Sequence, residues 1–207
     1  MLRVKICGLT RAEDARWALE AGADALGFNF VPGYPRRLEI ERAASLLEAL
    51  PPFGVRVGVF AGADPAWVEE VARRLGLDAV QLHGSESPEE CRRLRASGFR
   101  VLKAFRVRER GSLKAVADYP DVTPLLDAYR EDELGGTGRP FAWALAREVG
   151  ERRPFVLAGG LTPENVAEAV SVARPYAVDV SSGVEVKTGV KDPERVRAFI
   201  ARAKGWE

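Results

Sequence analysis

The sequence predicts an α/β chain folded as a single-domain, parallel eight-stranded (β/α)8 TIM barrel over residues 1–207, and three observations carry that expectation. Short apolar, β-branched runs recur eight times, each followed by a stretch of helical pattern. From the third onward they recur at roughly 20–30 residue intervals, which suits successive βα units. No Gly-x-Gly-x-x-Gly follows the first run, which argues against the dinucleotide-binding form of an open doubly wound sheet. Strand–helix alternation throughout implies a parallel sheet, and eight units imply its closure into a barrel.

Strands are expected at residues 4–7, 25–30, 55–60, 79–83, 100–105, 124–128, 155–158 and 177–180. Helix punctuation falls between them. Thr10 is placed to cap the first helix, with Glu13 and Asp14 in its first turn where the helix dipole favours negative charge. Asp64-Pro65, Ser87-Pro88, Thr162-Pro163 and Asp192-Pro193 each read as an N-cap followed by proline at the first helical position. Gly22, Gly76 and Gly98 follow helical runs, as C′ glycines do. The fifth unit is the weakest, because residues 107–118 are a short and highly charged segment.

Composition narrows the function classes. The formal net charge is +1, so no global field draws the chain to nucleic acid or an anionic membrane, and any attraction for an anion has to be local. No apolar run approaches the roughly 20 residues that span a bilayer, and the N-terminus lacks a secretory pattern, so a cytoplasmic location is expected. Cys7 and Cys91 are too few for a disulfide framework and lack zinc-ligand spacing. With His83 the single histidine, no metal site is expected. Of the 31 basic residues only six are lysine, and the chain has two asparagines and one glutamine. Abundant arginine beside scarce amides suggests a thermophile source. Heat adaptation in turn suggests a homodimer, since oligomerisation is one common route to it.

In this fold, chemistry sits at the C-terminal ends of the strands and in the loops that follow. The residues expected there are Cys7, Asn29, His83, Lys103, Asp127, Gly159-Gly160 and the segment from Asp179 through Ser181, Ser182 and Gly183. Two glycines after strand seven let the backbone approach an anion, and the next helix points free N–H groups and a positive dipole end at it. Strand eight is followed by hydroxyls, another glycine and room for a short extra helix. Together these form the recurrent phosphate site of the fold, so a small-molecule phosphate ester is the expected substrate. Cys7 and Asp127 end strands one and six. If they face the barrel mouth, a thiol and a carboxyl share one space and suit proton removal and delivery. A nearby ammonium such as Lys5 would lower the thiol's proton affinity and enrich the thiolate. A lone strand cysteine is ordinarily a small buried hydrophobe, and Cys91 is read that way. His83 is either a wall residue or a substrate contact.

Several blocks together resemble the phosphoribosylanthranilate isomerase family of tryptophan biosynthesis. They are Lys5-Ile6-Cys7-Gly8, the run from Gly22 to Phe28, Gln81-Leu82-His83-Gly84, Leu125-Leu126-Asp127, Gly135-Gly136-Thr137-Gly138, the run from Gly159 to Val166, and the run from Asp179 to Glu185. The resemblance covers nearly the whole chain. It implies an Amadori rearrangement of N-(5-phosphoribosyl)anthranilate, with no cofactor. It further implies Asp127 as general acid on the furanose ring oxygen and Cys7 as general base at C2′. One loop departs from the family's Ser-Pro-Arg pattern and reads Pro32-Gly33-Tyr34-Pro35-Arg36-Arg37. Arg36 is the natural match for the arginine that meets the anthranilate carboxylate, with Arg37 adjacent. Two other functions compete. The sister aminoaldose isomerase of histidine biosynthesis, or a bifunctional form, shares the fold but carries an aspartate where Cys7 stands. A catalytically dead phosphate-binding barrel would be expected to lack one of the two catalytic groups.

Overall fold

The fold was analysed in a computed structural model that describes residues 1–107, 109–127 and 139–206, excluding the side chains of residues 139–142. The chain runs β1 (Arg3–Ile6), α1 (Ala12–Glu20), β2 (Ala25–Asn29), α2 (Ile40–Glu48), β3 (Val55–Phe60), α3 (Pro65–Arg74), β4 (Ala79–Leu82) and α4 (Pro88–Ala96). It continues through β5 (Arg100–Arg106), a 3-10 helix (Arg110–Asp118), β6 (Thr123–Asp127), α5 (Arg139–Gly150), β7 (Val156–Ala158), α6 (Val166–Ala173) and β8 (Ala177–Val180). A 3-10 turn (Ser182–Val184), the short strands β9 (Glu185–Lys187) and β10 (Val190–Lys191), and α7 (Pro193–Lys204) complete it.

Strands β1 to β8 close into one barrel in sequence order, every pairing parallel, with β1 hydrogen-bonded to both β2 and β8. The expected eight strands are all present. Their ends differ by a residue or so, but the ladder carries past them: Cys7 N–H donates to Val180 O at 2.8 Å, and His83 N–H to Phe60 O at 2.8 Å. Ala128, and the Gly135–Gly138 block, lie outside the described residues.

Two apolar layers result from alternation along the strands. The larger core packs the outward strand residues, such as Ile6, Leu26, Phe28, Leu82 and Leu126, against the helices. A small inner cluster of Leu125, Val156, Ala158 and Ala177 fills part of the barrel interior. The interior also holds polar groups: Lys5, Gln81 and Asp179 are all buried there, with Lys5 bonded to both of the others.

The helix punctuation holds in part. Asp64 and Asp192 cap α3 and α7 with proline at the first position, and Ser87 forms a full capping box with Glu90. Gly22, Gly76 and Gly98 take positive φ after their helices. Two expectations fail. Thr10 does not cap α1; its hydroxyl donates to Gly189 O at 2.5 Å, and the capping position falls on Arg11 without a side-chain bond. Thr162-Pro163 does not open a helix either. It forms a turn, with Thr162 Oγ1 accepting from Glu164 N, and α6 begins only at Val166. The weak fifth unit forms a 3-10 helix in place of an α-helix.

Candidate active site

The site is assembled from side chains that share the inward face of their strands. Lys5 and Cys7 lie two residues apart on β1 and its extension, Gln81 and His83 on β4, Leu125 and Asp127 on β6, Asp179 and Ser181 on β8. Lys5 Nζ donates to Asp179 Oδ1 at 3.0 Å and to Gln81 Oε1 at 2.9 Å. The Cys7 thiol shares the same ammonium. It has room there because β2 offers Gly27: a Cβ at Gly27 would lie 2.7 Å from Cys7 Sγ and 3.0 Å from Lys5 Nζ.

Burial and charge compete at this cluster. Burial opposes the charge on Lys5, but Asp179 and the Cys7 thiol outweigh it and hold the ammonium above the usual lysine value. At Cys7 the balance runs the other way. Burial, joined by the field of Asp179, pushes the thiol up and outweighs the lowering by Lys5 and Lys191. The expected enrichment of thiolate is therefore overturned: Lys5 does act in the expected direction, but its charge is shared with Asp179 and the site is too dry for it to prevail.

Across the mouth, His83 Nε2 stands 3.8 Å from Asp127 Oδ2, with side chains 35% and 23% exposed. His83 Nδ1 lies 3.4 Å from Gln81 Nε2. A run of polar groups thus leads from Cys7 through Lys5, Gln81 and His83 to Asp127.

Above this row sit the loops after β7 and β8. Gly159 and Gly160 have φ of 92° and 62°, a conformation other residues rarely adopt. Asn165 braces the first loop, its amide donating to Gly160 O at 3.0 Å while its Oδ1 accepts from Thr162 N at 2.8 Å. Ser181, Ser182 and Gly183 form the second, opened by the short 3-10 turn whose first N–H groups have no partner within it. The loops touch backbone to backbone, since a Cβ at Gly183 would overlap the Leu161 carbonyl oxygen. Asp179 is not in this cradle; its side chain turns into the barrel toward Lys5.

Arg36 reaches the mouth beside Gly8, where its Cδ lies near the same point as the Ser181 hydroxyl. It does not wait unpaired. Nε and one terminal nitrogen hold both oxygens of Glu185 at 2.8 and 2.6 Å, and Lys191 Nζ adds 2.8 Å to the same carboxylate. This fork occupies one edge of the guanidinium. Arg37 points to solvent and meets Glu39 at 3.2 Å. Asn29 shapes the loop, its Oδ1 accepting from Val31 N at 2.7 Å. Lys103 lies on the outward face of β5, bonded to Gly84 O at 2.7 Å and paired with the buried Glu86 at 3.2 Å, so it is not in the mouth. Sequence reasoning named neither Gln81, Asn165 nor Lys191 as a working group. For Gln81 a signal existed, its two-residue spacing from His83; for Lys191, which meets Glu185 only across the β9–β10 hairpin, none did.

A closed parallel barrel with a thiol, an imidazole and a carboxyl in its mouth and glycine loops after its last two strands defines the class of (β/α)8-barrel enzymes. Comparison with known proteins narrows this. Residues 4–202 match the family described as N-(5'-phosphoribosyl)anthranilate (PRA) isomerase. The N-(5'-phosphoribosyl)anthranilate isomerase of Geobacter sulfurreducens is 52% identical over 206 residues, all of both chains. The solved phosphoribosyl anthranilate isomerase of Thermotoga maritima superposes with a TM-score of 0.92 at 46% identity, covering 99% of this chain and 100% of the other. A second solved phosphoribosyl anthranilate isomerase, in complex with reduced 1-(o-carboxyphenylamino)-1-deoxyribulose 5-phosphate, gives 0.89 at 43% identity, covering 99% and 100%. The chain belongs to the N-(5'-phosphoribosyl)anthranilate isomerase family and is an isomerase of tryptophan biosynthesis.

Proposed function

We propose that this chain rearranges N-(5-phosphoribosyl)anthranilate to 1-(2-carboxyphenylamino)-1-deoxyribulose 5-phosphate through Asp127 and Cys7. The carboxyl of Asp127 gives its proton to the furanose ring oxygen, the bond from that oxygen to C1′ breaks, and a Schiff base forms. The thiolate of Cys7 then takes the proton from C2′, leaving an enolamine that tautomerises to the ketone. No atom is lost or gained overall. The observation that carries this reading is the row of polar groups joining Cys7 to Asp127 beneath the two glycine loops.

The loops at Gly159-Gly160 and Ser181-Ser182-Gly183 hold the phosphate, and Arg36 takes the anthranilate carboxylate. The ion pair with Glu185 supports Arg36 in that role. It fixes the guanidinium by one edge and leaves the other edge to grip a second carboxylate. Pure protein should consume phosphoribosylanthranilate, followed by loss of its fluorescence, and leave the histidine-pathway aminoaldose untouched when each is supplied alone. A folded protein that binds the first substrate without turnover would overturn the assignment.

The reading extends to a single-domain, cytoplasmic, heat-adapted homodimer. Among the described residues no helix is long and apolar enough to cross a membrane. The arginine-rich, amide-poor composition supports heat adaptation, and a solved Thermotoga maritima relative is described as dimeric. An unfolding midpoint above the roughly 45–65 °C of mesophile domains is expected.

A further inference from the structure

Gln81 takes no part in the chemistry above, yet it joins the neighbours of the two groups that do, Lys5 beside Cys7 and His83 beside Asp127. It lies on the inward face of β4, 2% exposed, and its amide is held from both ends. Lys5 Nζ is 2.9 Å from Oε1, and Nε2 is 3.4 Å from His83 Nδ1. The two ends of an amide are not interchangeable here. An ammonium has three donors and no acceptor, so only the oxygen of Gln81 can face Lys5. That turns the NH2 group, which donates and does not accept, toward His83. The ring nitrogen facing it must accept, so it carries no hydrogen. Turning the ring over would set a C–H against this amide and leave a buried N–H without a partner.

The geometry points to Gln81 as a positioning residue that locks His83 in its Nε2–H tautomer and so presents a ring N–H to Asp127. Lys5 is the anchor of the lock, and its pairing with Asp179 at 3.0 Å keeps the ammonium charged. The consequence falls on Asp127, and it rests on the role proposed for that residue above. When Asp127 gives up its proton, the carboxylate left behind receives the Nε2–H, a bond that favours the ionised form. The present 3.8 Å separation is long for that bond, as catalytic contacts often are before substrate fills a site. The tautomer is what allows it to tighten: a bare Nε2 lone pair would repel the carboxylate.

His83 is the chain's single histidine, so protein labelled with 15N-histidine reports one imidazole without assignment. At about pH 9, where an ordinary imidazole is neutral, long-range 1H–15N correlation should show hydrogen on Nε2 and a bare Nδ1 in the wild type. Gln81→Glu replaces the donor with an acceptor and should move the hydrogen to Nδ1. In the same variant kcat should fall by about tenfold, the loss of one hydrogen bond's worth of stabilisation, with KM changed less than about twofold. His83→Gln, which restores an N–H near the Nε2 position, should keep more activity than His83→Ala. A wild-type ring with its hydrogen on Nδ1 overturns the inference, and so does an unmoved hydrogen in Gln81→Glu. Should that variant fail to fold, the wild-type spectrum alone decides. The tautomer is read without turnover, so full activity in Asp127→Ala beside an Nε2–H ring would sink the acid assignment and spare the lock.

Discussion

Strand β1 carries a cation–carboxylate pair at each end, and the two are put to opposite uses. At its foot Arg3 meets Asp24 at 2.6 Å while Lys204 of α7 takes the other oxygen at 2.8 Å. The Arg3 side chain is 52% exposed. At its mouth Lys5 meets Asp179 at 3.0 Å, with side chains only 5% and 8% exposed, and the Cys7 thiol leans on the same ammonium. Where water reaches the pair, the charges tie β1, β2 and α7 together and change no proton that chemistry needs. Where water is shut out, the same chemistry sets proton affinities, lifting Lys5 and Cys7 together. The division agrees with the general habit of these barrels, in which the strand C-termini work and the N-terminal face stabilises.

The largest effect that would sharpen this comparison is at the mouth. Cys7→Ala and Asp127→Ala should each lower kcat/KM by about 10²–10⁴-fold or more, the usual worth of general acid or base catalysis, while the unfolding midpoint stays close to wild type. Cys91→Ala should be silent in turnover. Cys91 is buried on α4 with its thiol pushed up to about 11 by burial, and it faces away from the mouth. The raised Cys7 thiol also fixes the sign of a pH dependence. The base is the thiolate, so kcat/KM should climb as pH rises through neutrality toward the alkaline range and fall on the acid side. A profile flat across that window would contradict Cys7 as the base.

What the sequence carried and what it did not follows from the range of each interaction. Strand period, proline N-caps and C′ glycines are local, and they gave all eight strands and most helix ends. The Thr10 cap failed because the helix starts a residue later, behind Arg11, while the Thr10 hydroxyl is turned to the carbonyl of Gly189, distant in sequence. Cys7 and Asp127 were legible as strand ends on an inward parity. The thiol's proton affinity was not, because burial and the field of distant Asp179 weigh on it more than neighbouring Lys5 does. Likewise Arg36 was found by its loop, but its carboxylate partner is Glu185, 149 residues on.

The next largest effect tests that partner. Lys191 has a side chain fully shut from solvent, and Glu185 is its only carboxylate among the described residues. Burial lowers the proton affinity of Lys191, while Arg36 and Lys191 hold Glu185 below the usual carboxylate range against its own burial. Glu185→Gln leaves a buried cation without its counter-charge and should cost about 3 kcal/mol of stability, read from the urea midpoint. Substrate affinity should fall as well, because Arg36 loses its support. Arg36→Ala should weaken substrate binding by about 1.5–3 kcal/mol, the range for hydrogen bonds to a charged group, and Arg37→Ala far less. Damage from Arg37→Ala in place of Arg36→Ala would move the carboxylate contact by one residue.

The smallest effect belongs to the foot of β1, and it completes the contrast. Burial opposes the charge on Asp24, but hydrogen bonds from Lys204, Arg3 and the Val4 amide outweigh it and hold the carboxyl below the ordinary aspartate value. Asp24→Asn keeps an oxygen for the Val4 N–H, which the native side chain accepts at 2.9 Å, and removes only the charge. The pairs are partly open to water, so screening limits their worth to about 1 kcal/mol. A carboxyl whose proton affinity is lowered by folding stabilises the fold above its unfolded value, near 3.9, and loses that contribution as pH falls through the folded value. The wild type should therefore exceed Asp24→Asn by about 1 kcal/mol at neutral pH, and the gap should close in acid as the folded carboxyl takes up its proton. Added salt should narrow it too, because exposed charges are screened. Turnover should not change, since no part of this cluster reaches the mouth. Equal stability of the two proteins at neutral pH would mean that water already cancels the foot pair, and a loss of turnover in Asp24→Asn would break the division of β1 into a stabilising end and a working one.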